Sequence, residues 1–76
     1  MNVSDETRRE AELSDPDLWL RYFGLGGMST PGEVKAFLGC RCIPSDHDYD
    51  LLAQALNERF SELGSTKTVR YAEARR

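Results

Sequence analysis

The chain has 76 residues, of which 39% are hydrophobic and 30% charged, and its formal net charge is −3 at pH 7. So short a chain forms one domain at most and has a thin core, which leaves a homodimer open. The acidic balance disfavours general affinity for nucleic acid, because phosphate neutralisation needs clustered lysine and arginine. No apolar run approaches the roughly 18 residues of a membrane span. Since residues 1–6 also lack the basic and apolar regions of a signal peptide, we expect a cytoplasmic protein.

Residues 1–14 are predicted to form a mobile acidic N-terminal arm. The candidate core residues in this segment are Val3, Ala11 and Leu13, and three apolar side chains are too few to hold a helix against the rest of the chain. Ser4 can cap a frayed helical turn that runs to Ala11, because a serine oxygen accepts hydrogen bonds from the free amides at a helix start.

A single helical domain is predicted over residues 15–64, with its first helix over about 16–24. Asp15 can cap this helix, and Pro16 suits its first position. Apolar side chains occur on nearly every side of the helix, so most of it should be buried. Trp19 is therefore interpreted as a core residue, with a partner-binding surface as the alternative.

Three glycines, Gly24, Gly26 and Gly27, follow the first helix. Each can adopt a positive φ, so we predict a left-handed helix cap and a sharp turn at this point. Their spacing matches neither of the glycine-rich phosphate-binding motifs, G-x-G-x-x-G and G-x-x-x-x-G-K, and we therefore expect no nucleotide cofactor.

The second helix is predicted over residues 31–38. Thr30 and Glu33 have the spacing of a capping box, and Pro31 suits the first helical position. Gly39 should end the helix, because glycine commonly follows the last helical turn. The predicted inner face consists of Val34, Phe37 and Leu38.

The longest helix is predicted over residues 46–63, between a cap at Ser45 and a glycine at Gly64. Asp48 has the spacing of a second capping box. Apolar residues recur at intervals of three and four, which places them in one arc facing the core. This stripe consists of Tyr49, Leu52, Ala53, Leu56, Phe60 and Leu63. The predicted fold is all-α, a small bundle of three main helices (about 16–24, 31–38 and 46–63) with flexible N- and C-terminal tails.

Residues 65–76 are predicted to form a basic C-terminal tail, in which four basic residues stand against one acid. A docked extended segment is the other interpretation, because Val69 and Tyr71 alternate with polar residues. Clustered positive charge attracts phosphates, so a nucleic-acid-binding regulator is the alternative function. The candidate nucleic-acid contacts are Lys67, Arg70, Arg75 and Arg76.

Cys40, Cys42 and His47 lie within eight residues of one another. They can be imagined as zinc ligands, but structural zinc sites use C-x₂₋₄-C pairs with a second pair of ligands elsewhere, and here the spacing is C-x-C. His47 also has an adequate place in the first turn of the long helix. We therefore expect no metal and two reduced thiols, with at least one cysteine buried as a small apolar side chain.

A second, smaller apolar face is predicted on the long helix. Leu51 and Ala55 lie four residues apart and project away from the predicted core stripe, with Glu58 and Glu62 beside them. This face is the candidate binding site for another protein or for a second copy of the chain. The alternatives are that the basic tail folds over it, or that an exposed leucine here has no role.

The segments Leu18–Val34 and Leu52–Glu58 resemble small uncharacterised helical proteins or segments from actinobacteria, some of which accompany regulators. The resemblance covers roughly residues 17–63. It implies an intracellular bacterial helical module with a regulatory role, and it assigns no catalytic or binding residue. Because no Ser-His-Asp or Cys-His-Asn pattern supports catalysis, we expect a non-enzymatic protein–protein interaction module that regulates transcription or signalling.

Overall fold

The chain folds into four helices in a computed structural model that describes residues 1–72. They are α1 (Asp5–Glu10), α2 (Asp15–Gly24), α3 (Pro31–Leu38) and α4 (Asp46–Glu62). No strand occurs in this part of the chain, so the predicted all-α bundle of three main helices is confirmed, and α1 matches the helical turn predicted between the Ser4 cap and Ala11. Across the same residues, no helix combines the length and the apolar character that crossing a bilayer requires.

Each helix begins at a serine or threonine whose side-chain oxygen accepts a hydrogen bond from the amide three residues later. The predicted capping box of α3 is confirmed, because Glu33 also accepts from the Thr30 amide at 2.9 Å. The predicted cap of α2 is wrong by one residue. Ser14 is the cap, and Asp15 lies in the first helical turn, where its charge suits the positive end of the helix dipole.

α4 is the central helix, and its buried arc is wider than the predicted stripe. Ala55 is fully buried in addition to five of the six stripe residues. The exception is Leu63, which is 36% exposed. It is the C-cap residue and not part of the helix, because α4 ends at Glu62, one residue earlier than predicted. The buried hydrophobic residues are Val3, Ala11, Leu13, Leu18, Tyr22, Val34, Leu38, Tyr49, Leu52, Ala53, Ala55, Leu56, Phe60, Val69 and Ala72.

The N-terminal segment packs on α4, which corrects the prediction of a separate mobile arm. Its three candidate core residues are all buried. Hydrogen bonds connect the segment to α4: the Val3 amide donates to the Tyr49 hydroxyl at 3.2 Å, this hydroxyl donates to Asn2 Oδ1 at 3.5 Å, and Arg59 Nε donates to the Ala11 carbonyl at 3.1 Å. The prediction failed because it counted apolar side chains in the segment alone, whereas α4 supplies the polar partners for its backbone.

Residues 65–72 also dock on the bundle, so the prediction of a free tail is wrong for this part of it. Val69 and Ala72 are buried. Asn57 of α4 accepts from the Val69 amide at 2.6 Å and donates to the Val69 carbonyl at 3.0 Å. Asp50, two turns earlier on α4, accepts from the Ala72 amide at 2.6 Å. The docked extended segment is therefore the correct interpretation here.

Tyr22 joins α2, the α2–α3 turn and α4 through its buried hydroxyl group. The hydroxyl donates to Asp48 Oδ1 at 2.6 Å and accepts from the amides of Met28 at 3.2 Å and Ser29 at 2.9 Å. Ser29 Oγ donates to the second oxygen of Asp48 at 3.2 Å. Only the first hydrogen bond of the predicted second capping box is present: Ser45 accepts from the Asp48 amide. The Asp48 carboxylate accepts from the hydroxyl groups of Tyr22 and Ser29 instead.

The three glycines after α2 have different roles. Gly24 is the last residue of α2, and Gly26 alone takes a positive φ, of 102°. Gly27 is needed for close packing, because a Cβ atom there would overlap the ring carbons of Tyr22. The predicted sharp turn is present, but it needs glycine for two different reasons: Gly26 has a positive φ, and Gly27 has no room for a side chain.

Candidate protein-binding surface

The predicted partner face on α4 is not available as a whole. Ala55 is fully buried and Leu51 is half-buried against the core. The reason is that α2 covers this side of α4. Ala55 lies two turns from both Asp48 and Glu62 and therefore on the same helical face, and side chains of α2 bond to both of those residues. Glu58 is exposed beside this contact.

Glu62 takes part in the contact between α2 and α4. Both of its oxygens accept from Arg21, at 2.8 and 2.7 Å, and Oε1 also lies 3.3 Å from Arg59 Nη1. The paired arginine lowers the pKa of Glu62 from 4.5 to about 2, and Arg59 contributes in the same direction. Its side chain is 47% exposed, so solvent screens the pair and its share of the stability is modest.

In an acid titration, Glu62 should protonate at about pH 2, below an ordinary glutamate. Because the folded-state pKa is the lower one, the pair adds stability above the unfolded pKa of 4.5, and this contribution is lost as the pH falls through about 2. Carboxyl ¹³C NMR measures the titration directly. Arg21→Gln should move the Glu62 pKa back up towards 4.5, and a wild-type value already near 4.5 would contradict the pairing.

A continuous apolar surface lies on the side of α2 that faces solvent. It consists of Pro16, Trp19, Leu20 and Phe23, which have the i, i+3, i+4, i+7 spacing of one helical face; we call it the α2 outer face. Leu20 is 58% and Phe23 56% exposed. The prediction that most of α2 is buried is therefore wrong: the buried residues of this ten-residue helix are Leu18 and Tyr22, on the opposite side.

Trp19 is held in a fixed orientation at the centre of the α2 outer face. Its indole Nε1 donates to the Ser29 carbonyl at 2.9 Å. Its ring stacks on Phe23, with ring centroids 5.1 Å apart and an interplanar angle of 24°. Trp19 is partly buried against the core, so the core interpretation and the surface interpretation each apply in part.

An open groove runs between the α2 outer face and the first turn of α3. Its volume is about 610 Å³ and its lining is mostly apolar. Such grooves, with a few polar groups at the rim, are common binding sites for ligands and for helices of other proteins. The lining residues are Asp15, Pro16, Trp19, Leu20, Pro31, Gly32 and Lys35.

A partner-binding surface was the alternative interpretation of Trp19, and the sequence contains a spacing signal that favours it. The spacing of Pro16, Trp19, Leu20 and Phe23 is typical of an amphipathic face. Leu18, Tyr22 and Leu25 are apolar as well, so the helix has two apolar faces and periodicity alone does not say which one the core takes. Contacts with α4, made by distant residues, decide it.

The two cysteines lie apart from the α2 outer face, in the loop between α3 and α4. Both are free and exposed, which corrects the prediction that at least one is buried. Ile43, in the same loop, is 91% exposed. Within residues 1–72 the structure brings together no group of three His, Cys, Asp or Glu side chains that could hold a metal ion. His47 is exposed on α4.

The predicted nucleic-acid contacts are only partly within the described chain. Lys67 and Arg70 are exposed, and Lys67 Nζ lies 3.1 Å from Glu10 Oε1. That ion pair offsets the positive charge a phosphate would meet. Arg75 and Arg76 lie outside the described residues.

Comparisons with protein-family models, with curated proteins and with solved structures found no match for the chain. The resemblance to actinobacterial helical proteins therefore stays a prediction. The surface features that bear on function are the α2 outer face, its groove and the charges around them.

Proposed function

We propose that the protein is a non-enzymatic protein–protein interaction module that binds its partner through the α2 outer face. The observation that supports this is the exposure of Leu20 and Phe23 beside an oriented Trp19. Aromatic side chains that are already fixed lose little entropy on binding and are enriched among the residues that dominate interface energies. Following the resemblance in the sequence, we place the partner in the regulation of transcription or signalling.

The occupant we propose is an amphipathic helix of another protein, with basic residues flanking its apolar stripe. Pro16 and Phe23 are seven residues apart, or about 10 Å along α2, a length that two turns of a partner helix match. Asp15 and Lys35 are the charged residues of the groove lining, and two further acids, Asp17 and Glu33, are exposed in the first turns of α2 and α3. A second copy would bring the same acids together, so charge favours a basic partner over a homodimer.

The test on purified protein compares the wild type with Leu20→Glu and with a matched control, Ile43→Glu. Both positions are exposed and apolar, but only Leu20 lies on the α2 outer face. The probe is a synthetic amphipathic peptide of leucine and lysine at helical spacing, and Trp19 fluorescence reports binding because it is the single tryptophan. Leu20→Glu should weaken binding by at least about tenfold through a buried charge, whereas Ile43→Glu should bind like the wild type.

A peptide of leucine and glutamate serves as the charge control and should bind more weakly than the lysine peptide. Circular dichroism shows whether each variant is folded. Equal affinity of wild type and Leu20→Glu for the lysine peptide would contradict the proposal. Sedimentation equilibrium of the same three proteins tests the homodimer: association of the wild type that Leu20→Glu abolishes would assign the face to a second copy.

Affinity capture from the native extract then identifies the natural partner. It should be retained by the wild type and by Ile43→Glu and lost by Leu20→Glu. The alternative, nucleic-acid binding through the basic tail, predicts a different result: affinity for random duplex that falls steeply with salt and does not depend on Leu20. Binding of a basic helix also weakens with salt because its charges are screened, so the dependence on Leu20 is the result that separates the two functions.

A further inference from the structure

The loop between α3 and α4 presents two thiols to solvent, one residue apart. Cys40 and Cys42 are both exposed and free. The amides of Arg41 and Cys42 both point to the Ala36 carbonyl, at 2.9 and 3.4 Å. Two successive amides can share one acceptor only if the backbone bends at Arg41. This bend brings the Cα atoms of Cys40 and Cys42 closer together than an extended backbone would.

Cys40 occupies a backbone conformation that favours glycine. Its φ is +60°, in the left-handed region, where a side chain costs roughly 1–2 kcal/mol. Gly39, the residue before it, has an ordinary φ of −84°. Helices commonly end with a glycine in the left-handed conformation. After α3, the residue in that conformation is Cys40 and not Gly39. Since the side chain is also exposed, neither packing nor backbone geometry explains a cysteine at position 40.

We propose that Cys40 and Cys42 form a reversible disulfide, which makes this loop a thiol–disulfide exchange site. Disulfides join residues whose Cα atoms are roughly 4.4–6.8 Å apart, and residues on either side of a single bent residue fall in that range. The ring closed by so short a segment is strained, and strained, exposed disulfides are the ones that are readily reduced again. A closed metal site is disfavoured, because no third His, Cys, Asp or Glu joins the pair among residues 1–72.

The oxidant we propose is a low-molecular-weight disulfide such as oxidised glutathione. One cysteine thiolate attacks a sulfur of that disulfide, forms a mixed disulfide and releases one small thiol. The second cysteine thiolate then attacks the protein sulfur of the mixed disulfide, closes the Cys40–Cys42 bond and releases the second small thiol. The protein dithiol is oxidised by two electrons, and the small disulfide is reduced to two thiols. Arg41, which stands between the two cysteines in the sequence, is exposed with its side chain beside Gly39, and its positive charge favours the approach of anionic glutathione.

The experiment exposes the full chain to glutathione buffers of graded oxidised-to-reduced ratio, traps free thiols with an alkylating agent and measures the intact mass. The wild type should lose both alkylatable thiols together, gain no glutathione mass and recover both thiols when a reductant is added. Cys40→Ser and Cys42→Ser cannot close the ring and should instead carry one glutathione. Because both side chains are exposed, neither variant should lose its fold, and circular dichroism checks this.

Cys40→Gly separates a chemical from a structural role for this residue. It should melt no lower than the wild type, because glycine relieves the left-handed conformation, and it should lose the internal disulfide. A wild type that accumulates mixed disulfides at the same ratio as the single-cysteine variants, or that forms only disulfide-linked dimers, would overturn the proposal. So would a Cys40→Gly variant that unfolds, since that would show a structural reason for the cysteine.

Discussion

Gly27→Ala is expected to lower the free energy of unfolding by about 1–3 kcal/mol, the usual cost of overpacking, or by more if the ring beneath it cannot move. The added Cβ would overlap ring carbons of Tyr22. That ring is fully buried, and its hydroxyl is held by Asp48 and by the Ser29 amide at 2.6 and 2.9 Å. A shift of the ring therefore breaks hydrogen bonds, and a shift of the turn exposes the core.

Gly24→Ala is the matched control for this prediction. Gly24 ends α2, has no positive φ and has open space where its Cβ would lie. Alanine there should be neutral or stabilising by up to about 1 kcal/mol, because glycine is the poorer helix former. Urea unfolding followed by far-UV circular dichroism gives both values. Equal stability of the two variants would show that the Tyr22 ring is not fixed by its contacts.

The three main helices could be predicted from the sequence because their boundaries depend on local signals. Thr30 with Glu33, Ser45 and Gly64 act within one turn of the helix that they start or end. Such contacts involve residues three or four apart, so their spacing is visible in the chain. The predicted helix ends accordingly differ from the observed ones by a single residue at most.

The docking of the two terminal segments could not be predicted, because it depends on side chains far away in the chain. Arg59 bonds to a backbone carbonyl of the N-terminal segment and Asn57 to both polar groups of Val69. An asparagine within a helix is a weak signal of such a bond, because it is a poor helix former without a tertiary role. Nothing local indicates which segment it holds.

The position of the candidate binding face also could not be predicted from the sequence, because it depends on how two distant helices pack. Leu51 and Ala55 were predicted to form a free face because the core stripe of α4 was drawn too narrow, whereas Ala55 is fully buried and Leu51 packs against the core. Leu20 and Phe23 were predicted to be buried because their helix is apolar all round. The spacing identified the apolar residues of both helices, but only the packing of α2 on α4 decides which of them are buried and which are left to solvent.

Asn57→Ala is expected to release residues 65–72 from α4 and to cost about 1–3 kcal/mol, the penalty for leaving buried polar groups without partners. Asn57 is the partner of both the amide and the carbonyl of Val69, which is 1% exposed. Hydrogen exchange should show lost protection of the Val69 amide, and urea unfolding should show the lower stability. Gln54→Ala, at an exposed position of the same helix, should change neither measurement.

Asn57→Asp tests the two hydrogen bonds separately. The carboxylate keeps an acceptor for the Val69 amide but has no donor for the Val69 carbonyl, and it places negative charge beside that oxygen. The variant should therefore retain part of the protection of the Val69 amide while losing stability at neutral pH. If Asn57→Ala and Gln54→Ala behave alike, the segment is held by the burial of Val69 and Ala72 and by the bond from the Ala72 amide to Asp50, and the hydrogen bonds of Asn57 contribute little beyond those the segment would make to water.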